Sequence, residues 1–258
     1  MIVCAIAAGI HRLPDYDSVK ITAASEYKRR LFSVIYGSDK NHASLNGTPP
    51  SLSARFCNVR LPLDISEEDL FLPQEEFAAV VAKLDPNGWN TSGNLYRSTF
   101  HRALHLIQGS CEEILEISLG VGVPLSADKI EYVYFHHGIN YMLIVHSNLY
   151  QSCQEVYDRL PNQVHYYGYD KIPKMNVSST ILVSQAYLLL NLLQNRFLID
   201  RVAIARGFQN EQRLLSTAME MMDLTIMFWI KRDQLMRFSS AFDWIVSSIS
   251  VRMLNITN

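Results

Sequence analysis

The stretch EYKRRLFSVIYGSDKNHASL, Glu26 to Leu45, reads as one long helix. Leu31, Val34, Ile35, Ser38 and His42 recur at three- and four-residue steps, so they share a face, with Lys28 and Arg29 off it. Asn46-Gly47-Thr48-Pro49-Pro50 ends the helix. Glycine accepts the left-handed conformation just past a helix, and proline cannot continue one.

Upstream, Ile2 to Ile10 is apolar and has neither N-cap nor lead-in. It reads as the last turns of a helix whose beginning is absent, stopped by His11-Arg12-Leu13-Pro14. Downstream, Ser51 to Pro73 lacks periodicity and reads as ordered loop, with a capping box at Ser66 to Asp69. A loop follows to Ser92, with a short helix at Glu75 to Leu84. Ser98 to Leu119 is helical, with Phe100, Leu104, Ile107, Cys111, Ile114, Leu115 and Ser118 on one stripe. Ile130 to Leu160 reads as one or two helices, but Tyr132-Val133-Tyr134-Phe135 leaves a strand open as the alternative. Ser178 to Arg196 and Gln209 to Phe238 are long apolar-periodic helices. The expected fold is all-α: an irregular multi-helix bundle, one domain over residues 1–258, with a long ordered loop near residues 46–73.

The chain has 258 residues, 48% of them hydrophobic, enough to bury a large core. Formal net charge is -2 and the longest basic run is Lys28-Arg29-Arg30. A protein built to grip DNA usually carries a strong basic excess, so direct specific DNA binding is not expected. No stretch is apolar for the ~18 residues a membrane span needs, and no membrane association is expected. Asn90-Thr91-Ser92 and Asn176-Val177-Ser178 match the glycosylation triplet but follow no secretory signal, so they carry little weight.

Cys4, Cys57, Cys111 and Cys153 lie far apart with no C-x-x-C pair. That spacing argues against a cysteine zinc site and for reduced packing thiols. His101 and His105 share a helix face, but a zincin would need Glu where Arg102 stands. His136-His137 and His146 could join them only through the tertiary fold. Gly120-Val121-Gly122 is too short to cradle a phosphate, so no metal and no cofactor is expected. Glu112, Glu113 and Glu116 read as a solvated acidic face. Met219, Met221, Met222 and Met227 read as core packing rather than a binding surface.

Several fragments share an order with one family. Ala7-Ala8-Gly9-Ile10-His11-Arg12 resembles its A-x-x-L-G-L-H-R helix end. Glu26-Tyr27-Lys28-Arg29-Arg30-Leu31-Phe32 resembles its E-x-x-R-R-R-L-F-W. Tyr36 and Asp39 stand at its Y-x-x-D, Gly47-Thr48-Pro49 at its G-R-P, and Leu61-Pro62 at its L-P. Later, Tyr157 to Pro161 resembles W-x-x-x-L-P, and Leu188 to Phe197 resembles Y-x-x-x-L-L-L-H-R-P-F. Together they resemble the fungal-specific transcription factor domain, the middle homology region of binuclear zinc-cluster regulators. Ser33 replaces the usual Trp, and Thr48 the usual Arg.

The resemblance marks Gly9, His11, Arg12, Arg29, Arg30, Phe32, Tyr36, Asp39, Gly47, Pro49, Leu61 and Pro62 as structural or regulatory motif positions, none of them catalytic. It implies an all-helical regulatory domain, a nuclear location, and roles in nutrient use or secondary-metabolite gene clusters. The implied partners are other transcription proteins or a paralogous zinc-cluster factor, with a homodimer as a further form. The family's six-cysteine cluster is not in this sequence, and the expectation is an N-terminally truncated domain. Read without the family, Lys28, Arg29 and Arg30 are a solvated face pairing with Glu26 or Asp39, and Arg12 favours a helix C-terminus. The rival from another class is a helical small-molecule enzyme, lyase-like. It would want Asp-rich metal motifs, whereas Asp223 and Asp233 are isolated.

Overall fold

A computed structural model describes residues 2–14, 21–119, 138–168, 179–205 and 207–230. Among them are seven α-helices and no strand: α1 (Ile2–Ala7), α2 (Ala23–Asn46), α3 (Gln74–Val81), α4 (Arg97–Leu119), α5 (Gly138–Asp158), α6 (Ser179–Ala205) and α7 (Glu211–Ile230). Short 3-10 turns at Ala54–Phe56, Asp69–Phe71 and Asn162–Val164 punctuate the connections. The class is all-α. The expectations at Gly120 to Pro124, Tyr132 to Phe135, His136-His137, Asn176-Val177-Ser178, Asp233 and the helix end at Phe238 lie outside the described residues.

Local chemistry sets the helix ends. The Thr22 hydroxyl accepts from the Ser25 amide at 3.1 Å, and Ser25 Oγ accepts from the Thr22 amide at 3.0 Å; this capping box starts α2 at Ala23, three residues before the expected Glu26. Gly47 ends the helix at φ +63°, and its amide donates to the Ala43 carbonyl. A Cβ at Gly47 would touch nothing within 4 Å. Only the left-handed backbone then penalises a side chain there. Gly47→Ala is expected to cost about 1 kcal/mol, a fall in Tm of roughly 2–4 °C on thermal melting; an unchanged Tm would mean that the C-cap does not hold this turn.

α6 runs nine residues past its expected end at Arg196 and is apolar nearly all round. A helix of that kind is buried from more than one side. Leu188, Leu192 and Ile199 join Leu104, Ile107 and Tyr157 in a core shared with α4 and α5. Ala186, Leu190, Leu193 and Phe197 join Met221, Leu224 and Phe228 of α7 in a second core. Asp200, fully buried, accepts from Arg213 Nη2 at 2.6 Å and Nε at 2.9 Å, which pins α7 to α6. The chain thus stacks α2 on α4, α4 on α5 and α6, and α6 on α7.

α4 buries Leu104, Ile107, Cys111, Ile114 and Leu115 as its stripe requires, with Phe100 and Ser118 half-buried. α2 does not follow its expected stripe. Leu31 is 45% and Val34 38% exposed, and His42 is exposed, while Ile35 alone of the apolar set is buried. The buried face instead carries Glu26, Arg29, Arg30, Phe32, Tyr36, Asp39 and Lys40. The solvated-face reading of Arg29 and Arg30 is therefore wrong, although Lys28 is exposed. Hydrogen bonds and ion pairs seat this helix where an apolar stripe was expected.

Candidate functional site

Two segments bring the motif residues together: the inner face of α2 and the irregular chain from Thr48 to Ser66, which α4 backs. A loop without periodicity cannot pair its own backbone groups, so side chains must do it. Glu26 Oε2 accepts from the Leu63 amide at 2.8 Å, and Arg30 Nη2 donates to the Ile65 carbonyl at 3.0 Å. Arg29 Nη2 donates to the Pro14 carbonyl at 2.7 Å, and its Nε lies 3.3 Å from Glu26 Oε1. Asp39 accepts from the Ser51 and Leu52 amides at 2.9 and 3.0 Å. Glu26, Arg30 and Asp39 thus each hold one turn of the loop, while Arg29 ties α2 to the segment after α1.

Lys40, fully buried, is the centre of the arrangement. Its ammonium lies 3.0 Å from Asp39 Oδ2 and 3.2 Å from Glu112 Oε2, and it donates to the Leu52 carbonyl. Two of its three N–H donors are hydrogen-bonded, to the Asp39 carboxylate and the Leu52 carbonyl, and Glu112 adds an ion pair. Tyr36 donates its hydroxyl to Glu112 Oε2 at 2.6 Å, and Lys40 sits 4.4 Å above the Tyr36 ring. Glu112 Oε1 accepts from the Ala54 amide at 2.8 Å. Glu112 is therefore no part of a solvated acidic face; it joins α4 to α2 and to the loop. Glu113 is exposed as expected, and Glu116 pairs with Arg55 at 2.7 Å.

The electrostatics follow from these contacts. Burial alone would push the Glu112 carboxyl up, but the Tyr36 hydroxyl, Lys40 and the Ala54 amide together hold it below the usual carboxylate range. Burial and the Glu112 carboxylate drive the Tyr36 phenol far above its ordinary value. The His105 ring stacks on Tyr36 at 4.4 Å, and burial with Lys40 nearby lowers its pKa to about 4. His101, one turn earlier, is lowered to about 4 by burial and by Arg30 and Arg97.

A second cluster clamps the far end of the loop. Asp64, fully buried, accepts from Thr99 Oγ1 at 2.6 Å, Ser98 Oγ at 3.1 Å, the Asn90 amide at 3.0 Å and Asn90 Nδ2 at 2.6 Å. Arg102 donates to the Pro62 and Asn87 carbonyls and lies 4.6 Å over the Trp89 ring. Gly88, at φ +80°, leaves room for it: a Cβ there would stand 3.2 Å from Arg102 Nη2. Sequence reading missed Lys40, Asp64, Arg102 and Glu112. The signal available was polar side chains recurring at helical steps opposite a stretch with no periodicity of its own.

The remaining motif positions lie around this centre. Phe32 is buried with Tyr36, Ile35 and Leu52. Gly9 turns the chain after α1 at φ +69°. The Leu13 amide donates to the Asn58 carbonyl, and the Asn58 amide to that of His11, so Arg12 lies beside Asn58 of the loop in an isolated parallel bridge. Leu61 is half-buried and Pro62 buried, whereas Pro49 is exposed.

Chemically this is a clamp. Its ammonium is buried between two carboxylates and a carbonyl, and the Glu26, Asp39 and Glu112 carboxylates accept from backbone amides. Among the described residues, no group of three His, Cys, Asp or Glu side chains could hold a metal ion, and no helix is long and apolar enough to cross a membrane. All four cysteines are free thiols, Cys111 and Cys153 buried. A cavity beside Asn41, Cys111, Asn195, Arg201 and Met221 encloses about 30 Å³, far below the ~300 Å³ of a small-molecule pocket.

A family model described as the fungal-specific transcription factor domain matches residues 1–230. No curated protein matches the chain, and no solved structure does.

Proposed function

Because the chain belongs to the fungal-specific transcription factor domain family, we propose that it regulates transcription from the nucleus through protein contacts, without gripping DNA and without catalysing a reaction. The family match over residues 1–230 carries this reading. The charge distribution supports it. Net charge is -2, and Arg29, Arg30, Lys40 and Arg102 are buried in internal hydrogen bonds and ion pairs, where no phosphate can reach them. The partners on this reading are other transcription proteins or a paralogous zinc-cluster factor, and the controlled genes are a metabolic or secondary-metabolite cluster. The polar clamp has a definite part in this: it fixes the 48–66 loop on α2 and α4, so that the outer surface is presented in one shape.

The test joins the chain to a heterologous DNA-binding domain and measures a reporter in a fungal host. The fusion is expected to raise or lower output severalfold over the DNA-binding domain alone. The isolated chain is expected to show only salt-sensitive DNA binding, micromolar or weaker, in mobility shifts. A silent fusion together with a nanomolar, sequence-dependent shift would overturn the proposal.

A further inference from the structure

Ser66-Glu67-Glu68-Asp69 places three carboxylates directly after a serine. A protein kinase that reads its substrates by charge selects a serine in such a setting, because a basic surface on the enzyme meets the acidic side chains. Ser66 is half-buried, Glu68 is exposed, and the Glu67 side chain keeps 42% of its surface in solvent. The Ser66 hydroxyl accepts from the Asp69 amide at 3.1 Å. Ser110 also stands ahead of two glutamates, Glu112 and Glu113, but it is buried within α4 and closed to an enzyme. An acidic run alone would mean only a solvated turn. The second observation is the cation beside it. Arg30, its side chain 5% exposed, lies against the residues on both sides of Ser66. Its Nη2 donates to the Ile65 carbonyl at 3.0 Å, and its Nη1 is 3.9 Å from Glu67 Oε1, too far for a hydrogen bond. Nε and Nη1 have no hydrogen-bond acceptor among the described residues. Arg97 Nη1 reaches the same Glu67 oxygen at 3.5 Å, with 80% of its side chain exposed. Two guanidiniums thus share one partly solvated carboxylate. His101 registers the surplus of positive charge: burial first, then Arg30 and Arg97, lower its pKa to about 4.

We infer that Ser66 is a phosphorylation site, and that its phosphate docks on Arg30 and Arg97 in place of Glu67. In the transfer the serine oxygen bonds to the γ-phosphorus of ATP, the bond to the β-phosphate oxygen breaks, ADP leaves, and the hydroxyl proton passes to the kinase's catalytic carboxylate. Burial closes Arg30 to the phosphates of a nucleic acid. A phosphate on Ser66 needs no approach from solution, because the chain carries it one residue from the Ile65 carbonyl that Arg30 already holds. A phosphate offers three acceptor oxygens and close to two negative charges, which suits two guanidiniums better than one carboxylate does. Glu67, Glu68 and Asp69 repel it, and these neighbours are present in the folded and the unfolded chain alike. The arginines face it only in the fold. Docked, the phosphate joins α2, α4 and the end of the 48–66 loop through one group. The inference does not depend on the transcriptional role, and its test needs no reporter.

The native full chain, incubated with MgATP and a serine kinase that selects acidic sequences, should take up one phosphate, placed at Ser66 by mass spectrometry of its peptides. Ser66→Ala should take up none. Phosphorus NMR then reads the second pKa of the bound phosphate, which is about 6 for a phosphoserine in an open chain. In urea the modified protein should titrate at about 6 or slightly above, since only its acidic neighbours act on it. Folded, it should titrate below the urea value, because the two guanidiniums favour the dianion. Arg97→Gln changes an exposed position, so helicity and Tm should hold while the folded pKa moves back towards the urea value. A native chain left unmodified at Ser66 would overturn the site. A folded pKa equal to or above the urea value would overturn the docking, as would a lowered one that Arg97→Gln leaves in place.

Discussion

Replacing Lys40 by methionine is expected to destabilise the domain by about 3–5 kcal/mol, the cost of leaving buried charge without its partner. The side chain is fully buried and its nitrogen lies within 3.2 Å of both Asp39 Oδ2 and Glu112 Oε2. Methionine fills the volume but removes the cation. Two buried carboxylates then share a site with no ammonium between them, and the Leu52 carbonyl loses its donor. Against a whole-domain stability of about 5–15 kcal/mol this is a large fraction. Urea unfolding should show the midpoint falling with the slope unchanged, which is the mark of lost stability rather than altered compactness. Adding Glu112→Gln to Lys40→Met should recover part of the loss, because one of the stranded charges disappears, the remaining amide oxygen still accepts from the Ala54 amide, and the Tyr36 hydroxyl oxygen accepts from the new NH2 group. Glu112→Gln alone should destabilise, since it weakens the pairing of the buried ammonium instead. A Lys40→Met protein within 1 kcal/mol of wild type would show that the cluster does not bind the loop to the two helices.

The helices were legible because apolar residues recur at helical steps and the stops are chemical: Gly47 after α2, and Leu160-Pro161 just beyond α5. The stripe of α4 was legible for the same reason, since its buried side is apolar. The buried side of α2 was not. An apolar stripe is sought on the assumption that buried means hydrophobic, and α2 violates it with Glu26, Arg29, Arg30, Asp39 and Lys40. Their counterparts are largely backbone amides and carbonyls of residues 48–66, which have no identity that a sequence displays. Glu112 was misread because its neighbours Glu113 and Glu116 look alike in sequence, yet only Glu112 points at Tyr36 and Lys40. The methionines of α7 show the converse. Met219, Met221 and Met222 are equivalent in composition, and the helix phase alone separates the buried one from the exposed pair. The motif order identified the family because it records these constraints together, each of them weak when read singly.

The domain is expected to lose stability steadily as pH falls from about 6.5 to about 4, beginning well above the range where exposed carboxylates titrate. His101 and His105 are each held near pKa about 4 by burial and by neighbouring cations, against an ordinary value of 6.5. Both are therefore neutral in the fold, while in the unfolded chain they take up a proton near 6.5. Between these values the unfolded state binds more protons than the native one, so acid favours unfolding. The native advantage is complete above pH 6.5, shrinks through the interval, and is gone once the folded pKa is passed. Each depressed histidine contributes on the order of 2–3 kcal/mol across that interval, since every tenfold difference in proton affinity between the folded and unfolded chain is worth about 1.4 kcal/mol. Glu112 extends the loss downwards, because its carboxyl is held below its usual value and its pairing with Lys40 and Tyr36 fails only as pH drops through that lowered pKa. Urea midpoints at pH 7.5, 5.5 and 4.5 should therefore fall in sequence. The double variant His101→Gln, His105→Gln should lower stability at pH 7.5 but flatten the fall between 7.5 and 5.5, since the uncharged amides have no proton to gain. If the double variant kept the wild-type slope, the acid sensitivity would have to arise elsewhere, and the neutral stacking of His105 on Tyr36 would not be its cause.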